Sequence, residues 1–210
     1  MVRKSALCLG LFVAALAAMA SAEGFELEDT VSVVAIDRDL VAHGANGRTS
    51  KLRLELGERL RWSGSRGRIG FAVSNRRVFG FRATRGWSER ALRAGEVSPD
   101  RPEIGPRLAL FVTSQRAFAY DGQWREESIG PQEVVSRSSV GSRVALVVTS
   151  RRALGVAAGG PGFVPVRLGI HERIESARTL ASSAELTTSQ RLLFYSGSGG
   201  GWSERDRTRY

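Results

Sequence analysis

From residue 133 to residue 168 the apolar positions fall into short runs separated by turn formers. Residues 134–138, 143–149, 152–157 and 163–168 each have the length and β-branched content of a strand. Ser139-Val140-Gly141, Ser150-Arg151 and Gly159-Gly160-Pro161-Gly162 supply the turns between them. The second of these strands is apolar on both alternations, and so are its counterparts. Ile69, Phe71 and Val73 alternate with Gly70 and Ala72, and Leu108, Leu110 and Val112 alternate with Ala109 and Phe111. A strand of that kind lies between two covering layers. No stretch beyond residue 22 sustains a helical period, so the chain reads as all-β.

The pattern recurs. AVSNRRVFGF starts at Ala72, FVTSQRAFAY at Phe111, VVTSRRALGV at Val147 and LTTSQRLLFY at Leu186, with a weaker copy, VVAIDRDLVA, at Val33. The aligned arginines are Arg38, Arg77, Arg116, Arg152 and Arg191, at spacings of 77−38=39, 116−77=39, 152−116=36 and 191−152=39. A period of this length marks a repeat architecture. In the third strand one alternation is bulky: Phe79 and Phe81, Phe118 and Tyr120, Leu154 and Val156, Leu193 and Tyr195. The other is mainly slim: Val78 and Gly80, Ala117 and Ala119, Ala153 and Gly155. Copies stacked in series therefore mate a bulky side with a slim one, as close packing requires. The last copy departs from this with Leu192 and Phe194 on its slim side.

A small four-stranded sheet with two unlike faces, repeated in tandem, resembles a β-propeller blade. The resemblance covers nearly all of residues 23–210 and implies five four-stranded antiparallel blades. It is architectural only. The Gly-His and Trp-Asp signature of WD40 blades is absent, the paired glycines of kelch do not recur in register, and Asp121-Gly122-Gln123-Trp124 is only faintly similar to a sialidase Asp-box. A closed ring is expected, because no copy looks like a polar end cap.

The fourth strand is the expected outer edge. Pro165 suits an edge that spares a backbone donor, and the charges of WSER at 87–90 and 202–205 discourage edge pairing. The first blade has either a shortened inner strand at residues 25–28 or three strands. Pro99, Pro102 and Pro106 predict a short inner strand in the third blade. An outer-membrane barrel conflicts with the last segment, where Glu204 and Asp206 charge one alternation and Arg205, Arg207 and Arg209 the other.

Arg3 and Lys4, the apolar run of residues 6–20 and the small residues Ala20-Ser21-Ala22 read as a secretory leader cleaved after Ala22. The run falls short of the ~20 residues of a spanning helix, so the mature chain is expected to be exported, periplasmic or extracellular, without a transmembrane segment. Cys8, the one cysteine, lies in the leader. Residues 23–210 then have no thiol for a disulfide, a zinc site or a nucleophile, and fold as a single domain on an apolar core. Formal charge is +10, or 10−2=+8 without Arg3 and Lys4, and Lys51 is the single lysine left. Scattered arginines of this kind fit a GC-rich coding bias or a polyanion-binding surface.

The candidate chemistry is sparse. His43 and His171 lack metal-site spacing, so neither a metal nor a cofactor is expected. Glu26, Glu28, Asp29, Asp37 and Asp39 lie close in sequence and read as a charged, solvated amino-terminal segment, with acid and base catalysis by two of them as the alternative. The segment Ser196-Gly197-Ser198-Gly199-Gly200-Gly201 lacks the lysine and helix of a phosphate loop and reads as a hairpin connection. The repeated arginines are expected to be structural, reaching carbonyls of the adjoining blade; the alternative is a ring of arginines round one mouth. Trp87, Trp124 and Trp202 recur after glycine-containing turns and either pack at the periphery or stack on sugars, as the resemblance to lectin propellers implies. The functional expectation is a non-catalytic binding or scaffolding module of the cell envelope. A multivalent carbohydrate- or polyanion-binding lectin and, lower, a carboxylate-dependent hydrolase are the alternatives. The expected partner is a protein or glycan of the envelope, not nucleic acid, and the expected state is a monomer.

Overall fold

The computed structural model describes residues 30–97, 99 and 101–207. Residues 25–28, where a shortened inner strand was one of two expectations, and residues 1–22, where a leader is expected, lie outside the described residues.

Five antiparallel sheets follow one another along the chain. Blade 1 consists of β1 (Val31–Ile36), β2 (Asp39–Gly44) and β3 (Thr49–Arg53). Blade 2 consists of β4 (Leu60–Arg66), β5 (Ile69–Ser74), β6 (Arg77–Arg82) and β7 (Gly86–Ala91). Blade 3 comprises β8 (Glu103–Ile104), β9 (Ala109–Val112), β10 (Arg116–Tyr120) and β11 (Trp124–Ser128). Blade 4 comprises β12 (Val135–Val140), β13 (Val144–Thr149), β14 (Arg152–Ala157) and β15 (Val164–Arg167). Blade 5 comprises β16 (Ile174–Thr179), β17 (Ser183–Thr188), β18 (Arg191–Ser196) and β19 (Gly201–Asp206). Strands within each blade pair in sequence order. The fold is a five-bladed β-propeller, with three strands described in the first blade and four in each of the others. The prolines shorten the inner strand of blade 3 to two residues, and Pro165 sits on the outermost strand of blade 4 opposite Leu154.

Apolar clusters join the blades in series. Val31, Val33, Leu40 and Ala42 of blade 1 meet Ala72, Phe79 and Phe81 of blade 2. Ile69, Phe71, Val73 and Val78 then meet Ala109, Phe111, Phe118 and Tyr120. The slim side of blade 3 meets Leu154 and Val156, and that of blade 4 meets Leu193 and Tyr195. Slim therefore faces bulky at successive junctions, and the fit is close. A Cβ at Gly80 would stand 2.6 Å from the Tyr120 ring, and one at Gly155 would stand 2.4 Å from the Tyr195 ring. Gly155→Ala is accordingly expected to cost about 1–3 kcal/mol of overpacking, whereas Phe194→Ser, on an exposed side chain, should stay within about 0.5 kcal/mol. Equal urea midpoints for the two variants would contradict the mating of faces.

Two expectations change. The first concerns Arg38. The slim-side residues of blade 1 are Leu40 and Ala42, which places Asp39, not Arg38, at the position of Arg77 (77−39=38). Arg38 matches Arg76, a turn residue, and donates from Nη2 to the Leu54 carbonyl at 2.7 Å. The second concerns closure. Among the described residues no apolar cluster joins blade 5 to blade 1. Where β5 and β13 are buried along their whole length, β17 alternates, with Ser183, Glu185 and Thr187 half-buried on its outward side. Arg178 pairs with Glu185 at 2.5 Å on that blade, and Val34 and Ile36 of blade 1 are exposed. The last blade thus carries a polar cap, and Phe194 can occupy a slim-side position because no ring is seated against it.

Candidate functional site

A polar box repeats at one end of the blades. The connection into blades 2 to 5 makes a tight turn that ends in a glutamate. The N–H groups of Glu58, Glu96, Glu133 and Glu172 donate to the carbonyls of Glu55, Arg93, Gly130 and Gly169. Each carboxylate reaches back to the N–H of its turn's first residue, at 2.9, 2.7, 3.0 and 2.8 Å. It also accepts the hydroxyl of Ser74, Thr113, Thr149 or Thr188 at 2.5–2.7 Å. Each hydroxyl in turn accepts the backbone N–H of Arg77, Arg116, Arg152 or Arg191.

The guanidinium closes the box. Arg116 donates to Glu96 through Nε (3.1 Å) and Nη2 (2.8 Å), to Glu126 through Nη1 (2.8 Å), and to the Ala91 carbonyl at the end of blade 2 (2.8 Å). Arg152 likewise reaches the Ser128 carbonyl of blade 3, and Arg191 the Arg167 carbonyl of blade 4. Arg77 binds Glu58 and Glu89. The four arginines stand one per blade in separate boxes, and no common site gathers them. Burial works to raise the glutamate pKa values, and the arginine, hydroxyl and N–H donors overcome it, so Glu58 and Glu133 are held at about 2 and Glu96 and Glu172 below the ordinary value. Such carboxylates are locked as anions near neutrality and have no proton to shuttle.

The tryptophans face the preceding blade. Trp87, Trp124 and Trp202 donate their indole N–H to Ser50 O (3.3 Å), Ser88 Oγ (3.0 Å) and Val164 O (2.8 Å). Their rings lie 5.2 Å from Phe81, 4.8 Å from Tyr120 and 5.3 Å from Tyr195. All three are half-buried, with the N–H and ring contacts directed into packing. Of the clustered acids, Glu26, Glu28 and Asp29 lie outside the described residues, Asp37 occupies a turn at φ 55°, and Asp39 pairs with Lys51 at 2.7 Å. His43 Nδ1 stands 2.9 Å from Thr49 Oγ1, and His171 is exposed in the connection into blade 5.

The opposite end is different. Its turns, which join the first strand to the second and the third to the fourth, carry Arg48, Arg68, Arg85, Arg107 and Arg143, with Arg66 and Arg82 at adjoining strand ends. Asp121 is the one carboxylate among those turns in the described residues. Arg68, Arg107 and Arg143 stand just before the second strand of blades 2, 3 and 4. Their backbone N–H groups donate to Pro106 O, Ser142 O and Ala181 O in the next blade at 2.9, 3.1 and 2.8 Å. That chain of bonds brings the three side chains together with Arg82 around a cavity of about 170 Å³. Their spacings, 107−68=39 and 143−107=36, match those of the box arginines, and the glutamates recur similarly. Both series were visible in the sequence and were not among its candidate sites. A larger groove of about 670 Å³ beside the short β8 is lined mainly by apolar residues, among them Val97, Val112 and Val134.

The chain is a β-propeller by its own strand order and junctions. No protein-family model and no curated protein matches it. Among solved structures it is similar to Prp20p from Saccharomyces cerevisiae, with 11% identity and TM-score 0.42 over 80% of this chain and 55% of that one. BamB from Moraxella catarrhalis shows 15% identity and TM-score 0.34 over 87% and 62%. Hsv2p from Kluyveromyces lactis shows 8% and 0.38 over 87% and 63%. The chain thus spans roughly three-fifths of the length of these propellers. Among the described residues no helix is long and apolar enough to cross a membrane, and no cluster of His, Cys, Asp or Glu is arranged to hold a metal ion.

Proposed function

We propose that the chain is an exported, non-catalytic binding propeller of the cell envelope, periplasmic or extracellular, which docks an acidic protein or glycan through its arginine-bearing end. The supporting observation is charge segregation between the two ends. Asp37, Glu55, Glu58, Glu96, Glu133 and Glu172 stand in connections at the box end, where seven arginines, Arg59, Arg93 and Arg173 among them, balance their charge, whereas among the described residues the opposite turns hold five arginines and one aspartate and are left with a positive excess. A surface of one sign attracts partners of the other and speeds their association.

Two charge-matched triple variants test this. Arg48, Arg66 and Arg85 are exposed at the arginine-bearing end, and Arg59, Arg93 and Arg173 are exposed at the box end. Changing the first three to Ser is expected to slow association with a polyglutamate surface and a heparin surface roughly tenfold at low salt. Changing the second three should have a much smaller effect. Equal losses would assign the binding to net charge alone and remove the reading.

A further inference from the structure

Asp121 is already committed. Its Oδ1 lies 2.8 Å from Arg125 Nη1 and accepts the Gln123 N–H at 3.1 Å, while Oδ2 accepts the Gly159 N–H at 2.5 Å. Those donors hold its carboxyl below the ordinary range although burial works against them. Among the described residues it is the one acid lining the cavity, and with its charge already matched by Arg125 the guanidiniums of Arg82, Arg107 and Arg143 leave positive charge in excess there. Arg82 directs Nη1 to the Asp121 carbonyl at 2.7 Å, and its buried Nε has no hydrogen-bond partner. Burial, followed by the charges of Arg107 and Arg82, depresses the Arg68 pKa, which registers the convergence of like charges.

Convergent guanidiniums are stabilised by an oxyanion, because each presents a planar fork of donors that fits two oxygens at once. At about 30 Å³ per water, 170 Å³ holds about six water volumes. That is room for one tetrahedral oxyanion with a little water, and too little for an oligosaccharide. The turn backbones are fixed to one another across three blade junctions, so the arginines are presented from a rigid frame.

We propose that the cavity between the turns of blades 2, 3 and 4 binds a single phosphate group, borne by inorganic phosphate or by a phosphomonoester headgroup. The site rests on the reading of this end as the binding end, and it names the chemistry recognised there.

The test is calorimetric titration of inorganic phosphate into the purified chain, against chloride at matched ionic strength. Saturable binding is expected in the wild type. It should weaken at least tenfold in Arg107→Ala/Arg143→Ala, whose two side chains are exposed and so are not needed by the core. It should be unchanged in the Arg59, Arg93, Arg173 triple variant. Heats equal to those of chloride, or equal affinity in the double variant, would overturn the site even if the surface assays support the binding end. Conversely, phosphate binding with no difference between the two triple variants would keep the site and remove the wider reading. Vesicles of phosphatidylcholine with and without phosphatidic acid separate the sources. Sedimentation only with phosphatidic acid, competed by phosphate, identifies a headgroup. Phosphate binding without sedimentation identifies the free anion.

Discussion

Arg116→Met is expected to lower the unfolding free energy by about 3–5 kcal/mol, the cost of leaving a buried charge without its partner. The pair is the most enclosed of the four boxes: the side chain of Glu96 is 0% exposed and that of Arg116 7%. Without the guanidinium, Glu96 is left with the Thr113 hydroxyl and the Arg93 N–H as donors. The same change cuts the link to the Ala91 carbonyl of blade 2 and bares the Phe118 ring, over which the guanidinium lies at 4.5 Å. A second change separates charge from packing. In Arg116→Met/Glu96→Gln no ionised group is stranded, so the double variant should recover at least about 1 kcal/mol relative to the single one. Urea unfolding of the four members of the cycle measures this. A double variant that loses the sum of its two single losses would mean that Glu96 and Arg116 are not coupled.

The box shows what was legible in the chain. The recurrence of Arg77, Arg116, Arg152 and Arg191 after a hydroxyl residue was plain, and with it the turn that places them. The glutamate 19 or 20 residues earlier was harder to recognise, since a charged residue in a glycine- or proline-bearing connection has the composition of a solvated loop. Only the repeat spacing marks it as a partner. Arg38 misled for a related reason. In blade 2 the turn ends and the strand begins with an arginine, Arg76 and Arg77, and an isolated Arg38 aligns equally well with either until the burial of Leu40 and Ala42 decides.

The mating of bulky and slim faces could be read because it depends on side-chain volume at alternate positions. The cap was readable by the same logic. Ser183, Glu185 and Thr187 stand where Val144, Leu146 and Val148 stand in blade 4, and polar alternation is the mark of a sheet with one wet face. Leu192 and Phe194 drew attention away from it, being apolar on that same side. The arginine cavity was beyond reading residue by residue. Arg68, Arg107 and Arg143 recur at the repeat spacing, but that they converge on one cavity follows from bonds between turns of different blades, which no local pattern encodes.

Acid should unfold the protein through the same boxes. Glu58 and Glu133 sit at about 2 in the folded chain against an ordinary value near 4.5, so each stabilises the fold by about 3 kcal/mol when both states are ionised. The folded pKa is the lower one. The contribution is therefore complete above about pH 4.5 and is lost as pH falls from there through about 2. At pH 3 each glutamate should have given up roughly 2 kcal/mol, or roughly 4 kcal/mol for the two, with Glu96 and Glu172 shifted in the same direction. Repulsion among the many arginines of a chain with net charge +10 adds a loss of its own at low pH. Glu58→Gln/Glu133→Gln isolates the boxes from that background. The double variant should be less stable than the wild type at pH 7 and lose about 4 kcal/mol less between pH 7 and pH 3, as measured by urea midpoints and slopes across that interval. An identical pH dependence in the two proteins would show that these glutamates are not what acid attacks.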